Sequence, residues 1–111
     1  LTFVEEQDGR IVGFANGGPE RTADPTCTGE LYAIYLLHEF RGQGLGTGLF
    51  RAVAKELMAN GHDSLKVLVL KENPWRTFYE RRGGVQAGET TVRIAGNELV
   101  EVIYIWPALS E

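Results

Sequence analysis

The stretch Arg41-Gly42-Gln43-Gly44-Leu45-Gly46-Thr47-Gly48 decides the fold, because four glycines alternate there between a predicted strand and a predicted helix. Each glycine inside a helix costs about 1 kcal/mol relative to alanine. Glycine lets backbone N–H groups approach a ligand, and a helix start adds unpaired donors and the positive end of the helix dipole. The pattern favours a bound phosphate or pyrophosphate. Close packing of the helix on the sheet is the alternative, and for Gly48 alone it is the better explanation.

Hydrophobic periodicity defines the elements on either side of this turn. Leu31–Leu37 is a near-continuous apolar run, which predicts a strand covered on both faces near the middle of a sheet. Gly44–Asn60 predicts a helix whose apolar stripe consists of Leu45, Leu49, Phe50, Val53, Ala54, Leu57 and Met58. Further out, the sequence predicts strands at Thr2–Glu6 and Ile11–Ala15, a loop at Asn16–Thr28, a strand at Ser64–Leu70, a short helix from Asn73-Pro74 to Gly83-Gly84 with Pro74 in its first turn, and a hairpin of Val85–Ile94 and Leu99–Trp106.

The predicted order β-β-β-α-β-α-β-β fixes the fold class. A strand–helix–strand unit implies a parallel strand pair with a right-handed crossover, and the two hairpins imply antiparallel pairing. We therefore expect one α/β domain over residues 1–111, with a mixed, largely antiparallel sheet, a central parallel strand pair and flanking helices.

Charge and composition exclude several classes of protein. A net charge of −4 argues against a general nucleic-acid binder, and no apolar run approaches the roughly 20 residues that cross a bilayer. The single cysteine, Cys27, cannot form an internal disulfide, so a reducing, cytoplasmic location is expected. Cys27, His38 and His62 do not follow the spacing of a metal site, so no metal is expected.

Three phosphate-binding motifs compete for the glycine-rich stretch. A P-loop fails because Thr47 stands where its second glycine belongs and no lysine follows, and a dinucleotide fingerprint fails because its third glycine is missing. The pattern [RQ]-x-x-G-x-[GA] is matched by Arg41, Gly44 and Gly46. In this the chain resembles the GNAT superfamily of N-acetyltransferases. The segment Asn73-Pro-Trp-Arg-Thr-Phe-Tyr-Glu-Arg-Arg-Gly83-Gly84 is similar to that family's second cofactor segment.

This resemblance implies acetyl-CoA as cosubstrate and assigns roles along the cofactor. The pyrophosphate would be held by Arg41, Gly42, Gln43, Gly44, Leu45 and Gly46, and the pantetheine arm by the backbone of Ile34, Tyr35 and Leu36, where the sheet splays. Asn73 would bind the cofactor from the far side, and Tyr79 would lie near the thioester sulfur. Asn73 could instead, or also, cap the following helix. Tyr79 could be a core aromatic with its hydroxyl at the surface, and Arg41 a surface ion-pair partner.

The chemistry implied is direct attack of an amine on the thioester, with no covalent enzyme intermediate. By the same resemblance Glu30 would be the general base and Tyr79 the acid for the leaving thiolate, while backbone N–H groups polarise the carbonyl. Glu30 could equally be an ordinary strand-end carboxylate. His38 is expected to be a loop residue, and Cys27 is not assigned as a nucleophile.

The resemblance leaves the acceptor open. Complete family members begin with a strand and two helices that this chain lacks, so it is expected to be incomplete at its N-terminus or completed by another chain. A primary amine is expected, on a small molecule, a protein N-terminus or a lysine, with a slight preference for a cationic acceptor. A homodimer would cover exposed sheet edges. The alternatives are a non-catalytic acyl-CoA-binding module, an interaction fragment completed by a partner chain, or a nucleotide-binding protein of another family.

Overall fold

The computed structural model describes residues 1–22 and 26–109. Its elements are β1 (Thr2–Gln7), β2 (Arg10–Pro19), β3 (Gly29–Leu36), a 3-10 turn (His38–Phe40), α1 (Leu45–Ala59), β4 (Leu65–Leu70), α2 (Arg76–Arg81), β5 (Val85–Ile94) and β6 (Asn97–Trp106). The strands form one sheet in the order β1-β2-β3-β4-β6-β5, in which β3 and β4 run parallel and the other neighbours antiparallel. The predicted fold class and element order are confirmed.

Two predicted boundaries are wrong for local reasons. β2 continues to Pro19, because its last residues still pair with β3, so the loop expected at Asn16–Thr28 is shorter. Residues 23–25 of that loop lie outside the described part of the chain. The second helix begins at Arg76, so Pro74 is not in its first turn. The preceding turn is closed by Asn73, whose side-chain Oδ1 accepts the Trp75 N–H at 2.8 Å.

The core lies between the sheet and both helices, which pack on the same face. The predicted stripe of α1 is buried through Leu49, Phe50, Val53, Ala54 and Leu57. It joins a cluster that includes residues of β2, β3, β4 and β6, with Phe78 and Tyr79 of α2 packed against it. On the opposite face Tyr35 is 50% exposed and contacts Phe14, 37% exposed. The expectation that β3 is covered on both faces is therefore wrong for its second half.

An irregularity in β3 changes which face of the sheet its later side chains occupy. Asn16 of β2 pairs with Ala33 whereas Gly17 pairs with Leu31, so Tyr32 is an extra residue, a β-bulge. A bulge re-aims the side chains that follow it. Leu31 lies in the core and Ile34 packs against the same core, although strict alternation would place them on opposite faces.

The parallel strand pair is joined over only part of its length. β3 and β4 pair at Gly29–Leu31 with Leu65–Val67, which we call the closed half. Beyond it, residues 33–36 of β3 and 68–70 of β4 do not pair with each other, which we call the open half. The predicted splaying of the sheet is thus present in the structure.

Candidate functional site

The glycine-rich turn ends in an uncapped helix start. Gly42 and Gly44 have φ values of 80° and 81°, a left-handed conformation that favours glycine. Gly44 is the N-cap of α1, yet no side chain caps the helix and its first turn contains no acidic residue. The first N–H groups of a helix lack intrahelical partners. This turn can therefore offer backbone donors and the positive dipole end to an anion.

The other two glycines of the turn differ from each other. A Cβ on Gly46 would lie 3.4 Å from the Phe78 ring, so Gly46 lets α1 approach α2. A Cβ on Gly48 would meet no atom within 4 Å. The packing explanation favoured for Gly48 is therefore wrong, and the close approach that it describes belongs to Gly46.

Arg41 spans the mouth of the open half. Its Nε donates to the Leu36 carbonyl at 3.3 Å, and its guanidinium carbon lies 4.8 Å from the centre of the Trp75 ring. Arg41 makes no ion pair with any acid of the described chain. The surface ion pair considered for it is thus absent there, and no pattern in the sequence indicated its aromatic partner Trp75.

Two adjoining cavities occupy the open half. The first, of about 210 Å³, is lined by Ile34, Tyr35, Leu36, Arg41, Gly46, Asn73, Trp75, Phe78 and Tyr79. The second, of about 220 Å³, lies between the separated strands and shares Ile34, Asn73 and Tyr79 with the first. Glu101 of β6 also lines the second cavity, a carboxylate that sequence reasoning missed. The side chains predicted from two distant motifs therefore meet around one cleft.

Tyr79 lies where these two cavities meet. Its ring packs against Phe78 and Trp106, with ring centres 5.3 and 6.4 Å away. Burial raises the pKa of the Tyr79 hydroxyl to about 12, because desolvation penalises the phenolate. The hydroxyl stays protonated at neutral pH and can act as a donor. Tyr79 is thus a core aromatic that also borders the cleft.

Asn73 combines the two roles considered for it. Its Oδ1 holds the turn before α2 by accepting the Trp75 N–H, and its side chain also lines both cavities of the open half. The local hydrogen bond engages the oxygen of the carboxamide. The NH2 group of Asn73 has no protein acceptor among the hydrogen bonds of the described chain, so it can donate to a ligand.

Glu30 lies in the closed half and is engaged by Arg21. Glu30 is 1% exposed. Its Oε1 accepts the Arg21 backbone N–H at 3.0 Å, and its Oε2 accepts Arg21 Nη2 at 2.8 Å. This ion pair raises the pKa of Arg21. Glu30 does not line the two cavities described above, and the solvated strand-end carboxylate considered as its alternative is wrong, because the group is buried.

The remaining predicted residues lie around a third cavity, at the surface or in the interior. Gly42, Gly44, Gly46 and Thr47 line a third cavity, of about 440 Å³, together with Arg81 and Arg82. Gln43 is exposed and Leu45 half-buried, and neither lines these three cavities. Cys27 is buried and His38 lies in the exposed 3-10 turn.

The described residues contain neither a metal-ligand cluster nor a membrane-spanning helix. No three or more His, Cys, Asp or Glu side chains of residues 1–22 and 26–109 converge as metal ligands. Neither helix in that part of the chain has the length and apolar character needed to cross a membrane.

Comparison with known proteins shows which family the chain belongs to. The sequence model of the family described as FR47-like protein matches residues 12–94. The uncharacterized N-acetyltransferase YuaI of Bacillus subtilis is 40% identical over 107 residues, covering 96% of this chain, and the chain spans 62% of that relative's length.

Solved structures share the same fold. A ribosomal-protein-alanine N-acetyltransferase from Brucella melitensis superposes with a TM-score of 0.80 at 23% identity, over 97% of this chain and 68% of its own. The structure of yncA from Salmonella typhimurium with its cofactor acetyl-CoA gives a TM-score of 0.77 at 19% identity, over 99% and 65%. The chain belongs to the FR47-like family, within the GNAT superfamily of N-acetyltransferases.

Proposed function

We propose that this chain is the acetyl-CoA-binding part of an N-acetyltransferase that moves an acetyl group to a primary amine by direct attack. One observation carries the proposal. The uncapped glycine turn, the open half of the β3–β4 pair and Tyr79 border three adjoining cavities. The cavity of the glycine turn shares Leu36, Gly46, Trp75 and Phe78 with the first cavity of the open half, which in turn shares Ile34, Asn73 and Tyr79 with the second.

The residues present fit such a cofactor. Gly42 and Gly44 keep the left-handed turn free of side chains, and α1 leaves its first N–H groups uncapped for a pyrophosphate. Arg41 adds a cation beside that turn. The backbone of the open half is unpaired, so an amide-bearing arm can hydrogen-bond to it as an added strand would. Asn73 can donate its NH2 group from the opposite wall.

In the proposed reaction a neutral amine attacks the thioester carbonyl, the carbon–sulfur bond breaks, and the proton lost by nitrogen ends on sulfur. Tyr79 serves as the donor to the departing sulfur. A pKa of about 12 lies above the value of about 8.5 typical of a thiol. Tyr79 therefore donates a hydrogen bond, and full proton transfer from it is favourable only when the proton released by the amine replaces it. No residue of the chain is proposed as a covalent nucleophile, and Cys27 is buried.

Glu30 as the general base requires a movement of Arg21. Both carboxylate oxygens of Glu30 already accept a hydrogen bond from Arg21. We propose that Glu30 takes the amine proton only after the Arg21 side chain, 57% exposed, has withdrawn. Glu30→Gln tests this: it should lower turnover with little change in acetyl-CoA affinity, and unchanged turnover would exclude Glu30 as the base.

The acceptor is proposed as a primary amine on a small molecule, a protein N-terminus or a lysine. Related proteins carry different descriptions, including an enzyme named for ribosomal-protein alanine. Glu101 lines the second cavity of the open half, as Tyr79 does. A carboxylate at that position supports an acceptor that carries positive charge.

Binding and turnover test the proposal in two steps. Isothermal titration should show micromolar binding of acetyl-CoA, with ATP and NAD as controls that do not bind. Failure of the folded chain to bind acetyl-CoA would contradict the cofactor assignment. Tyr79→Phe should then lower thiol release by about 100-fold with little change in acetyl-CoA affinity.

A neighbouring tyrosine supplies the matched control. Tyr104 stacks on Tyr79 at 6.1 Å between ring centres, but its hydroxyl donates to Glu80. Tyr104→Phe should therefore leave turnover unchanged. Equal turnover in the wild type and Tyr79→Phe would exclude the donor role, and acetyl-CoA binding without any turnover would favour the non-catalytic module.

A further inference from the structure

Tyr32 and Glu30 form a cation-binding position beside the open half, and the protein's own Arg21 occupies it. The guanidinium carbon of Arg21 lies 3.9 Å from the centre of the Tyr32 ring. The same guanidinium donates from Nη2 to Glu30 Oε2 at 2.8 Å. An aromatic face and a carboxylate attract a cation in two different ways, and neither attraction requires the cation to be a guanidinium.

Tyr32 is held in this position by β2 rather than by Arg21. Its hydroxyl donates to the Pro19 carbonyl at 2.6 Å. Gly18 leaves the space for this contact, because a Cβ there would lie 2.7 Å from the Tyr32 hydroxyl oxygen. Tyr32 is also the extra residue of the β-bulge, and a bulge re-aims a side chain. The ring would therefore stay in place if Arg21 moved away from it.

This position carries more negative charge than Arg21 alone neutralises. The side-chain hydrogen bond to Glu30 has the largest effect on the pKa of Arg21, which it raises, and the charge of Glu101 also raises it. In the part of the chain that the structure describes, the Glu101 side chain forms no hydrogen bond and no ion pair. Lys66, in register with Glu30, pairs with Glu20. The field at this position therefore favours a cation whether or not Arg21 is there.

The position that Arg21 occupies is accessible from solvent and adjoins the cleft. The Arg21 side chain is 57% exposed. Tyr32 lines the second cavity of the open half, which Tyr79 also lines. Holding a long, exposed side chain in one geometry costs conformational entropy, so ion pairs at such positions add little stability. A ligand cation can therefore take the place of Arg21 and lie next to the cleft.

We propose that Arg21 is an internal competitor, which occupies the site of an alkylammonium ligand over the Tyr32 ring and against the Glu30 carboxylate. The ligand displaces the guanidinium, which returns when the ligand leaves. The inference rests on the proposed function where it identifies this ligand as the protonated acceptor amine, held against the carboxylate that would take its proton. Arg21 weakens the binding of every such ligand: if the site is vacant about a tenth of the time, the apparent affinity falls about tenfold.

Titration with n-butylammonium in the absence of acetyl-CoA tests the proposal, because it measures binding and not turnover. Arg21→Gln should bind this probe at least about tenfold more tightly than the wild type, since the competing guanidinium is gone. n-Butanol has the same alkyl chain without the charge, and it should bind neither protein. The probe should also raise the melting temperature of Arg21→Gln more than that of the wild type.

Arg10 supplies the matched control. Its guanidinium carbon lies 5.9 Å from the centre of the Phe40 ring, and Arg10→Gln removes one positive charge, as Arg21→Gln does. Arg10→Gln should bind n-butylammonium as the wild type does. Adding Tyr32→Leu to Arg21→Gln should weaken binding of the probe about fivefold, whereas adding Tyr32→Phe, which keeps an aromatic ring, should leave it unchanged.

Arg21→Lys keeps the test decisive if Arg21→Gln does not fold with Glu30 unpaired. It retains the charge but lacks the planar group that stacks on the ring, so it should also bind the probe more tightly than the wild type, by a smaller factor. Two results would overturn the inference and leave the proposed function intact: equal affinities in the wild type and the folded Arg21 variants, or an equal gain in Arg10→Gln and Arg21→Gln. Failure of the folded wild type to bind acetyl-CoA would instead contradict the proposed function and leave the cation site in place.

Discussion

The closed and open halves of the β3–β4 pair differ although the same two strands build them. In the closed half three residue pairs are in register, and Glu30 and Lys66 lie side by side at 1% and 3% exposure. Each of these charges meets an opposite charge from the segment after β2: Arg21 for Glu30 and Glu20 for Lys66. In the open half the strands separate, and the polar groups of Asn73 and Tyr79 border a cavity.

The difference shows how two neighbouring strands of a sheet can stay separated at one end. Buried charges are tolerated only when they are paired and hydrogen-bonded, so the closed half fixes the register of the two strands and the position of residues 20–22. The open half has no such pairing between the strands. The structure therefore fastens one end of the pair, which lets the other end stay apart and present unpaired backbone to a ligand.

The largest expected effect comes from breaking the closed half. Lys66→Met leaves the buried Glu20 carboxylate, 5% exposed, without its ammonium partner. Removing one partner of a buried pair costs about 3 to 5 kcal/mol. Urea denaturation should show a loss of this size in the free energy of unfolding.

A surface lysine gives the matched comparison. Lys71 pairs with Glu89 at 3.1 Å, but both side chains are largely exposed. Lys71→Met should therefore cost less than about 1 kcal/mol. Equal, small losses for Lys66→Met and Lys71→Met would mean that buried charge does not fasten the strands.

The second expected effect is a pH dependence of stability in the open half, and it comes from Tyr79. Its pKa is raised to about 12 in the folded state, against about 10 in the unfolded chain. The neutral phenol thus stabilises the fold fully below pH 10, and this contribution disappears as the pH rises through 12. Between pH 9 and 11 the loss should be about 1.4 kcal/mol.

Comparing the wild type with Tyr79→Phe isolates this contribution. Burial and its hydrogen bond to Glu80 also raise the pKa of Tyr104, and both proteins share that effect. Urea unfolding at the two pH values should show that Tyr79→Phe loses less stability than the wild type. If both lose the same amount, the Tyr79 hydroxyl is not desolvated at the edge of the cleft.

The features of the fold and the cleft that were predicted from the sequence are those that leave a periodic or glycine-rich pattern in it. The apolar stripe of α1, the element order and the cleft formed by Arg41, Asn73 and Tyr79 followed from local patterns and from a family resemblance. The bulge at Tyr32 and the engagement of Glu30 by Arg21 did not, because both depend on contacts between residues that no periodic pattern links.

The cavity of about 700 Å³ that is lined by Arg51, Lys55, Arg81 and Arg82 could not be predicted either. Arg51 lies on α1, whereas Arg81 and Arg82 lie at the end of α2, and contacts such as that of Gly46 with Phe78 bring the two helices together. The adjacent arginines were visible in the sequence as a pair, but a pair of charges is normally a solvated surface. Burial and the charge of Arg51 lower the pKa of Arg82, and both effects arise only once the helices are packed.

The smallest expected effects come from the turn at the mouth of the open half. Gly44 and Gly48 lie one helical turn apart, and Gly48 N–H donates to the Gly44 carbonyl at 3.1 Å. Gly44 has φ 81°, whereas Gly48 has ordinary helical geometry and open space where the methyl group of an alanine would lie. Gly44→Ala should destabilise the protein by about 1 kcal/mol and weaken acetyl-CoA binding. Gly48→Ala should stabilise it by about 0.5 to 1 kcal/mol and leave binding unchanged.

The opposite signs of these two changes distinguish a turn that requires a left-handed backbone from one that packs against a neighbour. If the glycines served only to pack α1, both alanines would act through contacts, and neither position has an atom within 4 Å of the added carbon. A loss of stability at Gly44 without any loss of acetyl-CoA affinity would mean that the left-handed turn shapes the chain but does not face the pyrophosphate. Thermal melts and titrations on the same two variants, run with the wild type, decide between these outcomes.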